Sequence, residues 1–125
     1  MYQHKYGEFA DKQIDEIKEI LRHRIFFLLL VAEDEAKNNK VEYPHIDLMK
    51  ANTSLLWRIS GLNELLGNPI ELVTVLSLLE EANNTIDALE FDFDKYRKLI
   101  LDAGAEIAKI APVNNEQSAK IAHSE

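Results

Sequence analysis

Cysteine is absent from the 125-residue chain, which removes disulfides, thiolate metal sites and cysteine nucleophiles together. Glycine occurs four times and proline three times, too sparsely for a loop-rich β sandwich or a low-complexity chain. Positive charge is also scarce. Fourteen Lys and Arg stand against twenty-two Asp and Glu, for a net charge of −8 and a pI near 5.0. A protein that grips a phosphate backbone needs a cationic footprint, so direct nucleic-acid binding is not expected. The longest continuous apolar stretch, Ile25 to Ala32, is eight residues, whereas a membrane span needs about 20. The opening residues, Met1 to Glu8, hold no apolar run before a small-residue cleavage site. No secretory signal is expected from them, and a cytoplasmic protein is the simplest expectation. Lys outnumbers Arg ten to four, and Asn and Ile are frequent, a bias that fits a low-GC bacterium or its phage.

Helical periodicity is what the chain does have. Its apolar share is 46%, and a chain of this length can bury about two-thirds of its unfolded surface around one core. From residue 8 to about 39 there is neither Pro nor Gly. Ile14, Ile17, Leu21, Leu28 and Val31 fall on one stripe there, with Asp15, Glu16, Lys18, Glu19 and Arg22 largely off it. The spacing predicts one helix of about 31 residues, about 46 Å long. Its centre, Ile25 to Ala32, is apolar all round, which a helix tolerates only where neighbours cover most of its circumference.

Asn38 to Pro44 breaks that helix. A second is predicted from about 46 to 66, where Leu48, Leu55 and Leu62 recur every seven residues. Ile59 and Leu66 complete the seam, Asn52 is its one polar member, and Trp57 and Arg58 lie off it. Gly67-Asn68-Pro69-Ile70-Glu71 is the clearest punctuation. Gly67 suits a left-handed C′ position, Asn68 an N-cap, Pro69 the first helical position and Glu71 the N3 position. Such a short link makes the second and third helices antiparallel neighbours. The third, about 69 to 89, presents Leu72, Val75, Leu76, Leu79, Ala82, Ile86 and Leu89 to the core. Asp92 or Asp94 can cap a fourth, about 93 to 110, on the stripe Tyr96, Leu99, Ile100, Ala103, Ile107 and Ile110. Pro112 ends it. The expected class is all-α, an antiparallel four-helix bundle with an extended first helix. Residues 1–112 form one domain in this reading, and 113–125 a frayed polar tail.

The later helices are near 27 to 31 Å long, so the first should overhang by roughly 15 Å. The segment most in need of cover is Ile25 to Ala32, which leaves the N-terminal third to project with its stripe of Phe9, Ile14, Ile17 and Leu21. An apolar stripe that stands proud is a surface for a partner. A second copy of the chain is the simplest one, and the candidate self-association residues are Ile14, Ile17, Leu21, Phe26 and Phe27.

Signals for chemistry are sparse. Glu42-x-x-His45 has the spacing of carboxylate-bridged di-iron bundles, but those need it twice with two further glutamates. Here it occurs once, across Pro44, and a solvated turn explains it. Leu21-Arg22-His23 is similar to the phosphoacceptor helix of dimeric phosphorelay proteins, yet Arg24 stands where an acid normally follows. Glu33, Asp34 and Glu35, with Glu80, Glu81 and Asp87, resemble the acidic helices of all-α nucleotide pyrophosphohydrolases, which hold magnesium between paired carboxylates. Glu33 and Glu35 are two apart and point to different faces, so the fit is incomplete. Ser54, Ser60 and Ser77 lie in helices with no glycine elbow, and the four glycines, at 7, 61, 67 and 104, build no phosphate-cradling loop.

The run Asp87 to Asp94 mixes acids and aromatics. Asp87, Glu90, Asp92 and Asp94 form a candidate acidic patch for a basic protein partner. The expectation is therefore a non-enzymatic cytoplasmic helical protein acting by protein–protein contact as a homodimer, with no cofactor and no metal. Two alternatives stand beside it. One is an acidic protein, like an immunity protein, antitoxin or phage inhibitor, that neutralises a basic nuclease or nucleic-acid-binding partner. The other is a magnesium-dependent nucleotide pyrophosphohydrolase.

Overall fold

A computed structural model describes residues 11–110. Four α-helices run in sequence: α1 (Asp11–Lys37), α2 (Leu48–Leu65), α3 (Ile70–Ile86) and α4 (Phe93–Ala108). No strand occurs among the described residues, and the helices pack on one another as the four-helix bundle expected from the periodicity. Each helix touches only its two neighbours round the ring α1–α2–α3–α4, and α1 closes on α4 more closely than on α2. Neighbours run antiparallel. The Lys37 ammonium, at the end of α1, lies 5.2 Å from the centre of the Phe93 ring at the start of α4.

The ends of the helices follow from particular residues. Asn38 and Lys40 both donate backbone N–H groups to the Asp34 carbonyl at 3.0 Å. Asn39 and Lys40 take left-handed φ values of 54° and 64°, so α1 stops at Lys37 rather than near 39. Asp47 caps α2 and Asp92 caps α4, each accepting from the backbone three residues on, at 3.1 Å. Gly67, at φ 84°, takes the left-handed position expected of it.

Asn68 does not cap α3. It is left-handed too, at φ 59°, and its side chain accepts from Asn63 Nδ2 at 3.0 Å. Pro69 holds the N-cap position without a side-chain hydrogen bond, which moves Glu71 one place nearer the start than N3. The third helix also ends earlier than its apolar stripe suggested. It stops at Ile86, and Leu89, read as a core residue, is fully exposed in the turn that follows.

The core is a single cluster. Leu28 and Val31 come from α1, Leu55 and Ile59 from α2, Leu72, Val75 and Leu79 from α3, and Ile100 and Ile107 from α4. Burial of this kind, about 25 cal/mol per Å² of apolar surface, is the main force holding the bundle closed. The first helix is the longest, about 40 Å against about 24 Å for α4. Residues 1–10 and 111–125, including the tail predicted at 113–125 and Phe9, lie outside the described residues.

Candidate functional site

Outward-facing side chains are where a bundle of this kind meets other molecules, and the predicted self-association residues separate there. Ile14 and Leu21 are 1% and 3% exposed and belong to the chain's own core. The stripe expected to stand open on α1 is thus closed over at two of its positions. Ile17 and Phe27 are half-buried against the same core, with the Phe27 ring set edge-on to Tyr43 at 5.4 Å. Phe26 alone of the five is open, at 58% exposed. One turn of sequence explains this. Phe26 points away from the stripe of Leu21, Ile25 and Leu28, so the all-round apolar centre of α1 is not covered on its outer side.

Phe26 borders a groove of about 380 Å³ between α1 and α4. Leu29 and Leu101 share its apolar wall, Leu101 being 44% exposed, and Glu19, Arg22 and His23 edge its N-terminal end. His23 is therefore an exposed α1 residue at the rim of an apolar groove. On the opposite side of the ring, α2 presents Trp57, 72% exposed, from the position that the seam left outside.

The acidic patch gathers at the α3–α4 turn. Asp87 and Asp92 are the residues flanking the two helices, Asp94 lies in the first turn of α4, and Glu90 is between them. All four are exposed, with the exposed Leu89 in their midst. Asp92 and Asp94 also do ordinary structural work at the start of α4, one as cap and one against the positive end of the helix dipole.

The acids considered as magnesium ligands go different ways. Asp34 is 2% exposed, and its two carboxylate oxygens accept the backbone N–H groups of Glu42 and Tyr43, each at 2.9 Å. It ties the 38–47 loop back onto α1. Glu33, Glu80, Glu81 and Asp87 face solvent, from α1 and from the α3 region diagonally across the ring. Glu42 and His45 are exposed in the loop itself. Among the described residues, no three His, Asp or Glu side chains converge as a metal site requires.

No family model, curated protein or solved structure matches the chain.

One buried polar constellation lies outside every candidate site named from the sequence. Tyr96 of α4 donates its hydroxyl to Asn52 Oδ1 at 2.9 Å, and both residues are fully buried. The Asn52 amide donates in turn to the Leu79 carbonyl at 3.2 Å and to Asn83 Oδ1 at 2.6 Å. Asn83 returns a bond to Thr53 Oγ1 at 3.3 Å. Three helices are thus joined through one amide. Burial, with the Glu35 carboxylate as a lesser cause, holds the Tyr96 phenol well above its ordinary pKa of about 10, so it remains a donor. The sequence signal was available in part: Asn52 stood as the lone polar member of a leucine seam, and Tyr96 as the lone hydroxyl of its stripe.

Proposed function

We propose that the protein is a non-enzymatic cytoplasmic bundle that works by protein–protein contact, first with a second copy of itself. The supporting observation is that large apolar side chains lie open on outer helix faces, Phe26 and Leu101 beside their groove and Trp57 on α2. A contiguous exposed apolar patch marks an interaction site, and Phe26, Leu29 and Leu101 meet around one groove. The absence of any helix long and apolar enough to cross a membrane, among the described residues, is consistent with this setting. Molar mass by light scattering, taken across a hundredfold range of concentration, tests it. A species of twice the chain mass is expected at the upper end; a monomer throughout removes the self-association.

A second reading keeps the bundle and makes the acidic turn its working surface, for a basic protein partner. It is favoured by the exposed Leu89 amid Asp87, Glu90, Asp92 and Asp94, an apolar contact ringed by charge of one sign. Binding to such a partner weakens steeply with salt. An affinity that stays flat from low to high salt removes this reading.

A further inference from the structure

The outward stripe of α2 carries Lys50, Thr53, Trp57, Gly61 and Glu64, at the three-, four- and seven-residue spacings that share one helix face. Three features of this stripe have no explanation within the monomer. Trp57, the only tryptophan of the chain, stands in water. Gly61 occupies the interior of a helix, where glycine is a poor former. No left-handed φ requires it, and a Cβ built on it meets no atom within 4 Å. The charges, finally, run against the helix. Lys50 is in the first turn and Glu64 in the last, whereas the macrodipole favours the reverse order. Elsewhere the signs at the helix ends are mixed: Asp94 and Lys95 share the first turn of α4, and Glu106 in its last turn is paired with Lys109 at 2.7 Å. Among the described residues, neither Lys50 nor Glu64 has an ion-pair partner.

One occupant accounts for all three. We propose that a second copy of the chain packs its α2 antiparallel against this one, across a two-fold axis at Trp57. This rests on the self-association proposed above and places the contact on α2 rather than α1. Lys50 and Glu64 lie two turns either side of Trp57, so each Lys50 comes to stand opposite the partner's Glu64. The charges that oppose the chain's own helix dipole then match the neighbouring one, because the start of each α2 lies beside the end of the other. A parallel arrangement would set lysine against lysine and glutamate against glutamate. Side chains on a helix lean toward its N-terminus, so each Trp57 ring covers its own Thr53–Ser54 turn. In the antiparallel register that turn faces the partner's Ser60 and Gly61, where the missing side chain leaves room for an indole. The strip from Lys50 to Glu64 is about 21 Å long. A single helix strip of this length is smaller than a standard specific interface, so a dimer that dissociates in the micromolar range or more weakly is expected.

Trp57 emission and molar mass, both followed through a hundredfold dilution of the full chain, read this face directly. Emission should move to the red as the dimer dissociates. Lys50→Glu and Glu64→Lys should each weaken the dimer about tenfold or more, and the two together should restore it. Both substitutions suit the helix dipole, so neither should harm the fold, which thermal melting of the helix signal checks. Gly61→Leu should leave a folded monomer, because its side chain enters open solvent in the isolated chain. A dimer that keeps constant Trp57 emission on dilution and survives Lys50→Glu overturns the α2 face and leaves self-association standing. A monomer at every concentration overturns both. If each single charge variant loses the dimer and the double variant does not regain it, the antiparallel register is wrong.

Discussion

The two ends of the bundle are built differently. At the end where α1 stops and α2 begins, the interior is polar: Tyr96, Asn52, Asn83 and the Leu79 carbonyl form a chain of hydrogen bonds across three helices. Asp34 stitches the adjoining loop to the remaining helix, α1, by two more. Along the rest of the bundle the interior is mainly aliphatic, with Ile59, Leu72, Val75, Ile107 and Ile110 all essentially without exposure. The buried Asn63 and Glu71 sit at the α2–α3 turn, where Asn63 bonds only locally across to Asn68. Aliphatic packing accepts many arrangements of helices at similar cost, provided volume is kept. A buried amide accepts very few, since each donor and acceptor must meet its partner or lose about 1–3 kcal/mol. The difference teaches a division of labour. The aliphatic length supplies the bulk of the stability, and the polar end selects which helix faces which.

The largest effects should break the two ends in distinguishable ways. Ile59→Ala deletes three carbons from a fully buried site and should cost about 2–5 kcal/mol, with the loss spread over the whole cooperative transition. Asn52→Leu keeps the branched shape of the side chain and should cost about 3 kcal/mol, because it strands the Tyr96 hydroxyl and the Asn83 side-chain oxygen, while the Leu79 carbonyl keeps its bond within α3. Denaturant unfolding measures both costs. The comparison is sharpened by the width of the transition. The Asn52→Leu protein should show a shallower denaturant slope than the Ile59→Ala protein, since a bundle without its selecting bond populates alternative packings. Equal slopes would mean that the amide adds only energy and no selection.

Asp34→Ala should cost less, about 2 kcal/mol, and the cost should be local. It removes the acceptor of two backbone donors in the 38–47 loop while leaving every helix–helix contact in place. Amide hydrogen exchange is the direct check. Glu42 and Tyr43 should lose protection while Ile59 and Ile100 retain it. Uniform loss across the core would show that the loop tie belongs to the global unfolding unit instead.

Much of this architecture was legible in the residues, and the misses have a common physical origin. Periodicity located all four helices, because an apolar stripe repeats over several turns and reports burial against neighbouring helices. Asp34 lies off the stripe of Ile14, Leu21 and Leu28, where periodicity implies solvent, yet it is buried. What buries it is the loop folding back, an event set by the left-handed Asn39 and Lys40 rather than by any period. Ile14 and Leu21 failed in the opposite direction. They were read as open from a comparison of helix lengths, yet both are packed into the chain's own core. Leu89 kept the phase of α3 but fell beyond its last turn, where phase no longer implies a buried face. Phase also says nothing of which outward residues matter: of the five candidates on α1 only Phe26 is open, and Trp57 became a candidate only once its exposure was known.

The smallest effect is the one that isolates a single bond at the polar end. Tyr96→Phe removes one hydroxyl, leaves the ring against Phe91, and should cost about 1 kcal/mol at neutral pH. Its value as a test lies in alkaline solution. Burial raises the phenol pKa in the folded chain, so the folded state holds its proton at a pH where the unfolded chain, with a pKa near 10, has released it. The stability that this phenol contributes is complete below the unfolded pKa. It falls as pH rises from about 10 toward the higher folded value, because unfolding is then accompanied by ionisation. Wild-type protein should therefore lose stability between pH 9 and 11 more steeply than Tyr96→Phe, and the gap between them at neutral pH should narrow and then reverse. Denaturant midpoints at several alkaline pH values measure this. Parallel curves would mean that the Tyr96 phenol is hydrated in solution, and that the polar end is less sealed than its hydrogen bonds imply.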